Sequence, residues 1–105
     1  MDIINLEERI KKAKALLVYF FNPGCVACKS LQPKVWELAS VKFPELEFLS
    51  IDASINPSIT ARAGVYSAPG ILVFFEGKEY IRESKYISVG QLEEKILRYY
   101  DMVFS

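Results

Sequence analysis

The chain has 105 residues and is 51% hydrophobic, enough for one domain with a real core and too apolar for a disordered chain. Thirteen basic residues balance thirteen acidic ones, so no charge excess favours a nucleic acid or a membrane surface as partner. No apolar run approaches the roughly 18 residues that span a bilayer, and MDIINLEERIKKAK, charged in both signs ahead of the short apolar run ALLVYFF, does not read as an export signal; the chain is read as cytoplasmic.

The first predicted element is a short amphipathic helix over about residues 5 to 13. Asn5 is its cap with Glu8 three residues on, and Glu7–Lys11 and Glu8–Lys12 are surface pairs. ALLVYFF follows, continuously apolar as a strand buried on both faces is. From about 25 to 41 the spacing is helical, with Leu31, Val35, Leu38 and Ala39 on one face and Pro33 kinking the helix from inside. Trp36, one turn past Pro33, is read as a core or half-buried residue rather than a ligand platform. LEFLSID, 46 to 52, reads as a second buried strand, and NPSITARAGV as a short helix capped by Asn56, opened by Pro57 and ended by Gly64. GILVFF (70 to 75) and KEYIRES (78 to 84) flank the turn pair Glu76-Gly77, the first strand central and the second, mixed and charged, at an edge. A last helix starts near 89. Ser88 and Gln91 form its capping box, Ile87 and Leu92 its hydrophobic staple, and Leu92, Ile96, Tyr99 and Tyr100 its buried face, with YYDMVFS finishing it against the sheet. The order α-β-α-β-α-β-β-α predicts a single domain over 1–105, a three-layer α/β/α sandwich.

The only two cysteines lie in FFNPGCVACKSLQP, where the buried strand gives way to the long helix. Unpaired backbone N–H groups and the helix dipole favour an anion there. A thiolate is that anion, so Cys25 is expected to titrate below the free value of about 8.5. Cys28, one helical turn on, is close enough to close a disulfide, and the pair can then exchange with a substrate disulfide. Two other readings stay open. One is half of a zinc site, which needs four N/S ligands and, in a chain without histidine, a second copy. The other is two buried thiols without chemistry. A lone C-x-x-C is a weak signal, but at a strand-to-helix junction it is a strong one.

With these residues in view, the chain resembles the thioredoxin family over nearly its whole length. CVACK sits where thioredoxins carry C-x-x-C followed by Lys, Pro33 matches the kink proline, and NPSITARAGVYSAPGILVFFEGK resembles the stretch from the third helix through the cis-proline into the hairpin. Gly77 matches the hairpin glycine and Gly90-Gln91-Leu92 the opening of the last helix. The resemblance implies Cys25 as nucleophile, Cys28 as buried resolving thiol, and a cis Ala68–Pro69 bond whose Ala68 backbone binds substrate as an extended strand. It implies a mixed sheet of four strands, because the leading edge strand of the family is missing ahead of the first helix.

The departures are equally specific. Gly24 stands where the family has a tryptophan, leaving the nucleophile uncovered, and Val26-Ala27 replaces Gly-Pro. Tyr19 replaces a buried aspartate, Ser50 the lysine that partners it, and Lys85 a glycine beside the substrate groove. A tyrosine with a pKa near 10 is a poor base at neutral pH, and losing both charges together avoids leaving one buried and unpaired. Lys85 is expected to crowd the groove, to select acidic partners or to be a solvated edge lysine, and Lys29 to stabilise the thiolate or to be a solvated helix residue.

The expected function is a thiol–disulfide oxidoreductase that reduces protein disulfides through a Cys25/Cys28 dithiol cycle, serving electron transport and cell redox homeostasis without metal or other cofactor. Its partners are then disulfide-containing proteins and a thioredoxin-reductase-like or small-thiol electron donor, and the chain a monomer or weak dimer. The alternative is a binding or redox-sensing module that keeps the fold without turnover.

Overall fold

A computed structural model describes residues 5–105. The elements follow the predicted order: α1 (Leu6–Lys12), β1 (Ala15–Phe21), α2 (Val26–Lys42), β2 (Glu47–Asp52), α3 (Pro57–Arg62), β3 (Gly70–Phe75), β4 (Lys78–Glu83) and α4 (Val89–Phe104). The strands form one mixed sheet in the order β2-β1-β3-β4. β1 runs parallel to β2 and antiparallel to β3, and β3 and β4 are a hairpin. The predicted missing edge strand concerns residues ahead of Asn5, which lie outside those described.

The continuous apolar runs become the two central strands because both faces of each are covered. From β1, Leu17 and Tyr19 face one side with Val35 and Leu38 of α2 and Leu92 and Ile96 of α4. Leu16, Val18 and Phe20 face the other with Leu6 of α1, Ile51 and Leu72, while Ile59 of α3 packs at the margin. Each fully buried large side chain in these layers contributes roughly 1.5–3 kcal/mol, which is why a period of two in β1 selects two cores at once.

Local signals hold the periphery. Asn5 accepts from Glu8 N–H at 3.0 Å and Lys12 pairs with Glu8 at 2.5 Å. Glu7 pairs instead with Arg62 of α3, 3.6 Å away, not with Lys11, so that charge ties two helices on one face of the sheet. Glu76 and Gly77 both have positive φ, 51° and 84°, the backbone a two-residue hairpin with primed twist requires. The Ser88–Gln91 capping box is complete, both bonds 3.1 Å.

Three further expectations are corrected. LEFLSID is an edge strand among the described residues, with only Ile51 of β2 fully buried, and Arg9 reaches Glu47 at its margin, 3.6 Å. Its apolar run has another cause: Leu46 precedes the strand and fills the α2–α4 core, and Phe48 stacks at 6.3 Å on Tyr19. Trp36 is not core but 56% exposed. One residue is a 100° step on a helix, and with Val35, Leu38 and Ala39 facing inward, Trp36 turns out. Asn56 makes no side-chain cap; its Nδ2 donates back to the Asp52 carbonyl, 3.0 Å, tying α3 to the end of β2.

Candidate active site

At the end of β1 the chain turns through Asn22-Pro23-Gly24, and Cys25 N–H donates to Asn22 O at 3.1 Å. Cys25 is the N-cap of α2, with an extended backbone, and its Sγ takes the cap position usually held by a hydroxyl or carboxylate, accepting from Cys28 N–H at 3.0 Å. The two cysteines are joined as a disulfide, their Cα atoms 5.2 Å apart, within the range such bonds require. The two sulfurs are not equivalent. Cys25 is half-buried at the rim, whereas Cys28 is 1% exposed and belongs to the core that holds Tyr19 and Ile71. One member of the couple can meet a macromolecule and the other cannot.

Tyr19 lies wholly inside and donates its hydroxyl to the Cys28 carbonyl at 3.0 Å. Burial pushes its pKa from 10.0 up to about 12, so it is a fixed donor rather than a proton acceptor near neutrality. Its register partner on β2 is Ser50, whose Oγ accepts from Gln32 Nε2 at 2.8 Å. A neutral, hydrogen-bonded set thus occupies the ground beneath the couple, and no described buried side-chain polar atom is left without a partner. Sequence reasoning noted Tyr19 and Ser50 as departures but not Gln32. Its spacing, four residues after Cys28 on the face turned toward β2, is the signal that locates it.

The segment that carries Ala68 and Pro69 returns to the same end of the sheet. The Ala68–Pro69 bond is cis, and Ala68 packs against the cluster that contains Cys28, as Cys25 does. Gly70 follows, beside Phe20 in the register. A Cβ there would lie 2.8 Å from Val65 Cγ1, so glycine lets the loop close onto the sheet. From β4, Arg82 clamps the base of that loop, its guanidinium donating to Ala63 O at 2.7 Å and Gly64 O at 3.0 Å while Glu79 accepts two bonds of 2.8 Å. The hydrogen bonds it donates to Glu79 raise the guanidinium pKa above its ordinary value. Nothing in the sequence spacing announced this clamp, which joins residues 18 and 19 positions apart.

The remaining predicted residues lie around this couple. Gly24 is exposed, and a Cβ on it would meet only Asn22 Oδ1, 3.7 Å away. Lys29 is exposed in α2 and lines an open groove with Gln32, Trp36 and Phe48. Lys85 follows β4, with Nζ 5.2 Å from the Tyr86 ring centroid. Among the described residues no group of three or more His, Cys, Asp or Glu side chains gathers to hold a metal.

Comparison with known proteins agrees with this geometry. The thioredoxin family model matches residues 3–99. The thioredoxin-like protein YdfQ of Bacillus subtilis is 30% identical over 99 residues, covering 94% of this chain and 88% of that protein. The thioredoxin of Fasciola hepatica has a solved structure that superposes with a TM-score of 0.77 at 33% identity, covering 89% of both chains. A variant thioredoxin of Halobacterium salinarum, 21% identical and covering 94% of this chain and 86% of its own, gives a TM-score of 0.81 and speaks for the fold alone. The chain belongs to the thioredoxin family, and the couple at its strand-to-helix junction is that of a thiol–disulfide oxidoreductase.

Proposed function

We propose that Cys25 is the attacking thiol and Cys28 the resolving thiol of a dithiol cycle that reduces protein disulfides. The observation that carries this is the asymmetry of the couple: a half-buried Cys25 Sγ at the N-terminus of α2, facing a backbone N–H, against a Cys28 that is 1% exposed. In the reduced protein the helix N-terminus favours the Cys25 thiolate. That thiolate attacks one sulfur of a substrate disulfide. A Cys25–substrate disulfide forms, and the other substrate sulfur departs and takes a proton. Cys28 then gives up its proton and attacks Cys25 Sγ, closing the Cys25–Cys28 disulfide and releasing the second substrate thiol. Two electrons pass to the substrate, and a reductase of the thioredoxin type or a small thiol returns them. The backbone of Ala68, with Gly24, Pro69 and Lys85, forms the surface against which an extended substrate lies, and Lys29 adds positive potential to the thiolate. The setting is cytoplasmic, the domain single over residues 1–105, and the role electron transport in redox homeostasis; no helix among the described residues is long and apolar enough to cross a membrane.

The experiment is a trap. Cys25→Ser abolishes disulfide reduction in an insulin-type assay, and Cys28→Ser accumulates a mixed disulfide through Cys25. Accumulation in Cys25→Ser instead reverses the assignment. Direction follows from a redox titration: a potential near the reductant range of about −270 mV supports reduction, and one near −120 mV makes the protein an oxidant.

A second reading rests on Tyr19. Because that hydroxyl keeps its proton to about pH 12, Cys28 has no base at this position, and the protein then works as a redox-sensing or binding module with one slow exchange. Single turnover without multiple turnover, in the presence of excess reductant, selects this reading over the first.

A further inference from the structure

The couple stands at the end of the sheet where three connections meet. β1 ends at Phe21 and leads to residues 22–25, β3 begins at Gly70 after residues 63–69, and β4 ends at Glu83 and leads to residues 84–88. Register brings these ends together, Phe20 beside Gly70 and Ile71 beside Glu83, and Pro69 and Ser84 line one cleft of about 250 Å³.

Two properties of that end stand out from a chain with no net charge. First, Val26, Tyr66 and Tyr86, one beside the disulfide and one from each of the other two connections, are 81%, 88% and 84% exposed. Second, Lys29 and Lys85 are the only charged side chains in the connections and the first turn of α2, and neither has an ion-pair partner among the described residues. The carboxylates that end the neighbouring strands are already engaged: Glu83 by Lys95, and Asp52 by the Ser54 N–H and hydroxyl at 2.9 and 2.6 Å. Lys29 lines the Trp36 groove, which Pro69 does not line. Lys85 follows Ser84, which lines the Pro69 cleft together with Arg82 and Glu83, both already paired, and its Nζ rests over the ring of Tyr86, with buried Ile87 next in the chain. A lysine stem propped on an aromatic face keeps its ammonium outward with less side-chain freedom to lose on pairing.

We propose that Lys85, propped by Tyr86, selects protein disulfides that have an acidic residue next to the cysteine in an otherwise apolar, extended segment. The apolar rim takes the neighbouring side chains, and the ammonium takes the carboxylate. The inference rests on the reading of Cys25 as nucleophile and adds the substrate class to it. An exposed ion pair is worth up to about 1 kcal/mol, or roughly fivefold, and is screened by salt.

The test uses the full reduced chain and three disulfide peptides identical except for Glu, Gln or Lys beside the reacting cysteine. The wild-type protein reduces the Glu peptide roughly threefold to fivefold faster in kcat/KM than the Gln peptide, and the Lys peptide more slowly still. This order flattens as salt rises from about 0.05 to 0.5 M. Lys85→Glu inverts the order. Lys78→Glu, which changes net charge equally but lies at the far end of β4, keeps it. Equal rates on the three peptides overturn the selection while leaving the Cys25 assignment standing. A Glu preference that survives Lys85→Glu also overturns it. Failure of the wild-type protein to reduce any peptide overturns the Cys25 reading beneath it.

Discussion

Tyr19 is where a single residue says most about this site. A hydroxyl that bonds the Cys28 carbonyl at 3.0 Å, inside the core and stacked on Phe48, braces the first turn of α2 against β1. A net hydrogen bond of this kind contributes about 1 kcal/mol. Tyr19→Phe, which keeps the ring, is expected to lower the melting temperature of the oxidised protein by about 4–8 °C, read by calorimetry. The pH dependence has a definite sign. The folded-state pKa of Tyr19 is raised from 10.0 to about 12, so above pH 10 the unfolded chain releases a proton that the folded one retains. The stability from this group is full below pH 10 and is lost as pH climbs toward 12. Base titration of unfolding free energy shows this loss in the native protein, and Tyr19→Phe flattens it; a parallel decline in both assigns the loss to other groups. Trp36 carries the opposite lesson: one turn past Pro33 it reads as core, and its helical phase turns it outward.

At the scale of elements, the active end depends on how the 63–69 connection is pressed onto the sheet. Gly70 leaves room for Val65, and Arg82 holds the carbonyls of Ala63 and Gly64 from β4. Gly70→Ala forces a methyl to within 2.8 Å of Val65 Cγ1 and is expected to cost about 1–3 kcal/mol. Val65→Ala on that background recovers part of the loss. A double-mutant cycle by urea denaturation then gives a coupling of roughly 0.5–3 kcal/mol, whereas strict additivity places the cost of the first substitution elsewhere. The local elements were mostly legible: caps at Asn5 and Ser88, the Glu76-Gly77 turn, and Pro57 opening α3 follow from short-range chemistry. β2 was legible as a strand but not as the edge it forms among the described residues, since an apolar run records that side chains are covered and not how many strands flank them.

For the whole molecule, folding and redox state are linked through the Cys25–Cys28 bond. The crosslink spans a sequence separation of only 3, so its chain-entropy effect on the unfolded state is at the low end, about 2 kcal/mol. Dithiothreitol is therefore expected to lower the unfolding free energy read by urea denaturation by that amount or less, with the sheet retained in far-ultraviolet circular dichroism. A collapse of the fold on reduction contradicts a core built from β1, β3, α2 and α4. The couple acts from a rim that the rest of the sheet holds in place, so exchange at Cys25 leaves the two cores intact.

What the sequence by itself determined is what depends on neighbours a few positions apart. It set the eight elements in order, a C-x-x-C pair at the start of a helix after a buried strand, Pro33 within that helix, and the Ala68-Pro69 step before a central strand. Only the tertiary structure decided that the Tyr19 hydroxyl reaches the Cys28 carbonyl, that Gln32 and Ser50 bond to each other, and that Arg82 grips the loop before Pro69. Burial and cross-strand hydrogen bonds are set by the layer that closes over a residue, and spacing along the chain does not encode that layer.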